Sequence, residues 1–138
     1  MKNAWILEPW GLLTILMVHW LLDFIIQTDE QAKSKWHSNE ALLSHTGIYA
    51  GGWFFAAVFM LMSGSTDAKG NTTDAYFIWY ALVVAGITFV AHTVTDYITS
   101  RESHKYFAKM DTHNGFIIIG FDQILHYVQL YLTFKLLI

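Results

Sequence analysis

Four apolar blocks constrain this chain more than any other feature: Trp10 to Gln27, Ala41 to Met62, Ala75 to Thr99 and Gly115 to Ile138. Each holds about 18 to 25 residues, enough for a helix to cross a hydrocarbon core of ~30 Å. Most of the charge lies between the blocks. Hydrophobic residues make up 54% of the chain and charged ones only 14%, against about 25% charged in a soluble domain. The spacing predicts an all-α fold, a four-transmembrane-helix bundle forming a single integral membrane domain over residues 1–138. The order His19, Asp23, His45 in the first half and His92, Asp96, His126 in the second also reads as two repeated helical hairpins, with helices one and three parallel.

The first block reads as a retained helix and not as a cleaved leader. Lys2 is the lone base before it, Glu8 and Pro9 lead into it, and no small-x-small site follows. Pro9 suits the first position of a helix. Ser38 or Asn39 is expected to cap the second helix, and Thr72 or Thr73 the third, with Asp74 in its first turn. Trp36, Trp53, Tyr76 and Trp79 are expected near membrane interfaces. Gly47-x-x-x-Gly51, followed by Gly52, lets another helix come close. Packing inside one bundle is the first expectation for it, and a homo-oligomer contact the second.

The loops at 28–40 and 100–114 carry Lys33, Lys35, Arg101, Lys105 and Lys109; Lys2, Lys69 and Lys135 belong to the opposite side. The positive-inside rule then puts those loops in the cytoplasm and both termini outside, in the cell's inner membrane. No basic patch points to nucleic acid. The chain has no cysteine, which excludes disulfides and thiolate metal sites.

Within this apolar frame, ionisable residues recur at helical spacing. His19, Asp23 and Gln27 stand at i, i+4 and i+8 in the first block. Thr88, His92, Thr95, Asp96 and Thr99 form a stripe in the third, and Asp122, His126, Gln129 and Thr133 one in the fourth. His45, Tyr49 and Gly52 make a shorter one in the second. Lipid penalises such faces, so they are expected to face one another. By helix rise, His19, Asp23, His45, His92, Asp96, Asp122 and His126 all fall in the half of the bundle that meets the basic loops. Thr14, Thr88, Gln129 and Thr133 are nearly all the polarity the other half offers, which argues against a permeation path.

An aspartate inside a bilayer costs on the order of 3 kcal/mol. Three together cost about 9 kcal/mol, comparable to the stability of a whole domain, so compensation is required. One or two divalent ions supply it, zinc first and manganese or iron as alternatives, held by those seven residues. Two other readings stay open: a dry His–Asp hydrogen-bond network, and a proton or ion path. Gln27, Lys33 and Lys35 are the expected substrate contacts at the mouth, where the lysines suit an anionic head group or phosphate. Asp29, or an aspartate free of metal, is the expected general base. His37, His104 and His113 read as solvated loop histidines.

These residues carry a family resemblance. The chain reads His19-x-x-x-Asp23-Phe24-x-x-Gln27-Thr28-Asp29-x-x-Ala32-x-x-Lys35, then Leu42-Leu43-x-His45-x-x-Ile48-Tyr49, then His92-x-x-x-Asp96-Tyr97 and Phe121-Asp122-Gln123-x-Leu125-His126. In these stretches it resembles the small bacterial and phage membrane proteins grouped as the domain of unknown function 3307 family. The resemblance covers nearly the whole chain apart from residues 63–74 and implies a membrane protein with this site, but no activity. In ligand type alone, the set is also similar to that of all-helical zinc-dependent phospholipases and nucleases, from which no residue role is taken. The expected function is a metal-dependent hydrolase of a phosphoester or lipid-linked substrate. The alternative is a non-enzymatic membrane protein: a metal sensor, an ion or proton path, or a phage or bacterial membrane anchor.

Overall fold

The computed structural model describes residues 4–64 and 77–137. Five α-helices follow one another: α1 (Pro9–Trp20), α2 (Asp29–Ser34), α3 (Asn39–Gly64), α4 (Phe77–Ala108) and α5 (Thr112–Leu137). No strand occurs among the described residues, so the all-α expectation holds. Helices α3, α4 and α5 are each long and apolar enough to cross a membrane; the apolar stretch Pro9–Ile25 is shorter. Lys2, Lys69, Thr72, Thr73, Asp74 and Tyr76 lie outside the described residues, and with them the expected cap of α4.

The first apolar block is not one regular helix. Pro9 opens α1, and the helix then widens into a π turn over Leu21–Ile25. Such turns re-aim the side chains they carry and recur at functional sites. Here the turn carries Asp23, which is buried.

The connection from 28 to 38 holds a short helix, α2. Thr28 and Gln31 form a capping box: Gln31 N donates to Thr28 Oγ1 (3.2 Å), and Thr28 N donates to Gln31 Oε1 (3.0 Å). Gln31 Nε2 then donates to Ser44 Oγ (3.0 Å), tying α2 to α3. Ser38 is the cap of α3, accepting from Ala41 N at 3.2 Å.

Helix α4 runs on to Ala108 instead of ending near Thr99. Loss of apolarity marks where a helix leaves an apolar medium, not where it stops. Arg101, Glu102 and Lys105 are good helix formers, and Lys105 pairs with Glu102 one turn back (2.5 Å). The third connection therefore shrinks to residues 109–111. Met110 takes a left-handed conformation there (φ 60°), and Asp111 caps α5 by accepting from Asn114 N (3.2 Å). The bonds from Asn114 hold the Asp111 carboxyl below its ordinary range. The α4–α5 hairpin consequently projects beyond the start of α3, and Trp36 lies flat on His104 of that projection, ring centroids 3.5 Å apart.

The interior divides into two layers. Away from the α4–α5 turn, Ile6, Ile15, Trp53, Met60, Val84, Leu130 and Phe134 form an apolar core. Trp53 is fully buried there against Phe134, and so is no interface aromatic, whereas Trp79 is exposed. The outer faces are apolar too: Phe55 is 71% exposed and Val90 62% exposed. The close approach on α3 is at Gly52, where a Cβ would strike the Leu22 side chain; Gly47 and Gly51 have no such neighbour. The expected packing inside the bundle thus belongs to Gly52, because the π turn delivers Leu22 to that level.

Candidate metal centre

The layer nearer the α4–α5 turn is polar, and it gathers residues from five elements. His19 comes from α1, Asp23 from the π turn, His45 from α3, His92 and Asp96 from α4, and Asp122 and His126 from α5. All seven are buried. Six of them fall into two groups whose ligand atoms lie within 4.8 Å of one another: Asp23, His45, His92 and Asp96, and Asp23, Asp122 and His126. Each of these groups can hold a metal ion.

Five of the six edges among the first group's ligand atoms are close to those of a tetrahedral site. His45 Nε2 and His92 Nε2 are 3.1 Å apart. His45 Nε2 lies 3.1 Å from Asp23 Oδ1 and 3.5 Å from Asp96 Oδ2. His92 Nε2 lies 3.4 Å and 3.6 Å from the same two oxygens. A tetrahedron with zinc–ligand arms of ~2.0–2.1 Å has edges of about 3.3 Å. The chemistry of the atoms agrees. Two imidazole nitrogens and two carboxylate oxygens converge, and neutral imidazoles offer lone pairs there. With protons instead, two N–H groups 3.1 Å apart would face each other, so at least one nitrogen must be bare.

Asp23 belongs to both groups. Its Oδ1 faces His45 and His92, and its Oδ2 accepts from Gln123 Nε2 at 3.0 Å. In the second group, His126 Nε2 lies 3.3 Å from Asp122 Oδ2 and 3.1 Å from Asp96 Oδ1. Thr99 Oγ1 donates to Asp122 Oδ1 (2.5 Å), and Gln123 Nε2 also reaches Asp122 Oδ2 (3.0 Å).

His19 stands beside the groups and not within them. Its Nε2 donates to Gln123 Oε1 at 2.8 Å, which leaves Nδ1 to accept from the Tyr49 hydroxyl at 2.5 Å. Its approach to Asp23 is longer, 3.7 Å. Both ring nitrogens are engaged, so His19 orients Gln123, which in turn holds two carboxylates. Tyr49 also stacks on His92, and His92 on His126, with centroids 3.9 and 4.0 Å apart. The Nδ1 atoms of His92 and His126 are buried without a hydrogen-bond partner. Gln123 and Tyr49 were not assigned from sequence: Gln123 lies off the Asp122–His126 stripe, and Tyr49 reads there as ordinary polarity.

Lys35 is the cation of the site. Its Nζ donates to Asp96 Oδ2 at 2.7 Å with the side chain only 17% exposed. Burial alone would lower the ammonium's pKa; Asp96 and Asp23 outweigh burial and hold it above the ordinary value. Gln27, with its amide turned to suit its neighbours, sits 3.2 Å from Lys35 Nζ and 3.3 Å from His45 Nδ1. Asp29 is placed elsewhere. Its carboxylate is 95% exposed on α2 and accepts from Lys33 Nζ at 3.1 Å, so the structure does not bring the expected general base to the cluster. His104 is in α4 and His113 in α5, not in loops; His37 and His113 are exposed.

A half-open cavity of about 460 Å³ leads to this layer between α2 and the α4–α5 hairpin. Asp23, Asp122 and Gln123 line it, with Lys33 and Lys35 on one wall and Thr99, Ser100 and Ser103 on another. No family model, curated protein or solved structure matches the chain.

Proposed function

We propose that this is an integral membrane protein whose polar layer holds one or two divalent ions near the cytoplasmic leaflet and hydrolyses a phosphoester or lipid-linked substrate there. In this reading the Pro9–Ile25 stretch, α3, α4 and α5 cross the bilayer, with the basic connections in the cytoplasm and both termini outside. The inverted polarity supports it: apolar side chains cover the outside while histidines and aspartates fill the interior. The resemblance to the domain of unknown function 3307 family agrees with a membrane setting.

The observation that carries the metal reading is the convergence of His45, His92, Asp23 and Asp96 at near-tetrahedral edge lengths. The two imidazole nitrogens favour zinc over manganese, which prefers oxygen ligands. Asp23, shared by both groups, suits a two-ion arrangement. A divalent ion lowers the pKa of a bound water towards ~7 and polarises a phosphoryl or carbonyl oxygen. Hydrolysis, as opposed to transport, is supported by the apolar layer of Trp53, Val84, Leu130 and Phe134 on the far side, beside a cavity on the near side.

One observation favours a second reading, a structural network without metal. His45 and His126 each approach a carboxylate at 3.1 Å, and Lys35 supplies a fixed positive charge. That reading predicts that Asn and Gln replace the buried Asp and His without loss. Elemental analysis of detergent-purified protein, wild type beside His92→Ala, separates the two. The metal reading expects at least one ion per chain in the wild type and a loss in the variant. Sub-stoichiometric metal in chelator-free wild type rejects it. Phosphate release from lipid phosphoesters with added zinc or manganese tests the activity; a metal-loaded protein silent over a broad panel is a sensor or anchor instead.

A further inference from the structure

The cavity between α2 and the α4–α5 hairpin is chemically divided. Its deep end is ionic, with Asp23 and Asp122 at the floor and Lys35 beside them. Ser100, on the α4 wall, has an Oγ that is buried and without a hydrogen-bond partner. Its other end is apolar, formed by Phe24, Phe107 and Ile119. Phe24 is 47% exposed on the outside of the π turn, so the apolar wall continues onto the apolar outer surface of the helices.

We propose that this cavity binds a phosphate-bearing amphiphile, with the phosphate at the floor beside Lys35 and the chain leaving over Phe24 and Ile119 into the surrounding lipid. The proposal rests on the metal reading above, because two bare carboxylates would repel a phosphate. With an ion on them, the floor and the Lys35 ammonium both favour an anion. The two ends select the class together. A free phosphate makes no use of the aromatic wall, and a neutral lipid makes none of the charge. The volume, about 460 Å³, suits a head group and the first part of a chain; the rest of any acyl or isoprenoid tail must lie outside.

The test uses Ala32→Trp. Ala32 lines the cavity from the exposed side of α2 and belongs to neither ligand group, so the larger side chain obstructs the mouth without touching the metal ligands. Dihexanoyl phosphatidic acid, inorganic phosphate and dihexanoylglycerol, which lacks a phosphate, are titrated calorimetrically into zinc-loaded, detergent-solubilised protein, with zinc content measured on the same samples. The phosphatidic acid is expected to bind about tenfold more tightly than either other probe, and Ala32→Trp to weaken it by about tenfold at unchanged zinc content. Inorganic phosphate binding as tightly would reduce the cavity to an anion site, and dihexanoylglycerol binding as tightly would reduce it to a lipid groove; either overturns the proposal. So does an Ala32→Trp variant that binds as the wild type does. Zinc retained without phosphatidic acid binding overturns this assignment alone, whereas protein that holds no zinc overturns the proposed function with it.

Discussion

Removing the charge of Asp96 while keeping its shape separates the two roles that the structure gives this carboxylate. Oδ2 accepts from Lys35 Nζ at 2.7 Å and lies 3.5 Å from His45 and 3.6 Å from His92, while Oδ1 lies 3.1 Å from His126. Asp96→Asn leaves the Lys35 ammonium, 17% exposed, without its anion. Breaking one side of a buried ion pair costs about 3–5 kcal/mol, and the low end is expected because Lys35 retains a path towards solvent. Adding Lys35→Met removes the orphaned charge and should restore most of the stability, but it cannot restore the lost metal ligand. Asp29→Asn is the control: it also removes one acidic charge, yet its partner Lys33 is 76% exposed, so neither stability nor metal content should change measurably. Equilibrium unfolding in mixed micelles, with elemental analysis of each variant, reads both quantities. Asp96→Asn matching Asp29→Asn in both, or a double variant as unstable as Asp96→Asn alone, would refute the roles assigned to Asp96.

Three further outcomes follow from the same contacts. Gly52→Val should destabilise the bundle by about 1–3 kcal/mol through overpacking against Leu22, whereas Gly47→Ala and Gly51→Ala should be tolerated; thermal unfolding of the three variants decides it. Gln123→Leu strands His19 Nε2 and removes a donor from Asp23 and Asp122, so metal affinity should fall about 10–100-fold with the ligands intact, as competition with a chelator would show. Histidine must be neutral to bind metal, so zinc affinity should fall as the pH falls, with proton uptake on metal release measurable by calorimetry. A pH-independent affinity between pH 5 and about 8 would mean the imidazoles are not ligands.

The convergence of imidazole and carboxylate was legible in the sequence for an energetic reason. A charged side chain on a lipid-facing surface costs too much to recur at i and i+4 in several apolar blocks, so the stripes had to face inward. The structure buries His45, His92, Asp96, Asp122 and His126 accordingly. The end of α4 was less legible, because polarity and helicity part company beyond Thr99. Helix α2 had a local signal in Thr28-x-x-Gln31, a capping-box pattern that a window tuned to apolar length passes over.

What remained hidden depends on contacts between elements distant in sequence. No composition rule separates Leu21–Ile25 from the helical turn before it, yet the π turn decides both where Asp23 points and where Leu22 packs. Were the first block a regular helix throughout, His19 and Asp23 would present one face together and share one role. In the structure His19 is given over to Tyr49 and Gln123, while Asp23 reaches both ligand groups. The single local irregularity thereby sorts two residues of one motif into an orienting role and a candidate ligand role. Lys35 shows the same limit from the other side. Read along the chain, it and Lys33 are alike, two bases in one short helix and its cap; only folding α2 against α3 puts one on Asp96 and leaves the other in solvent beside Asp29.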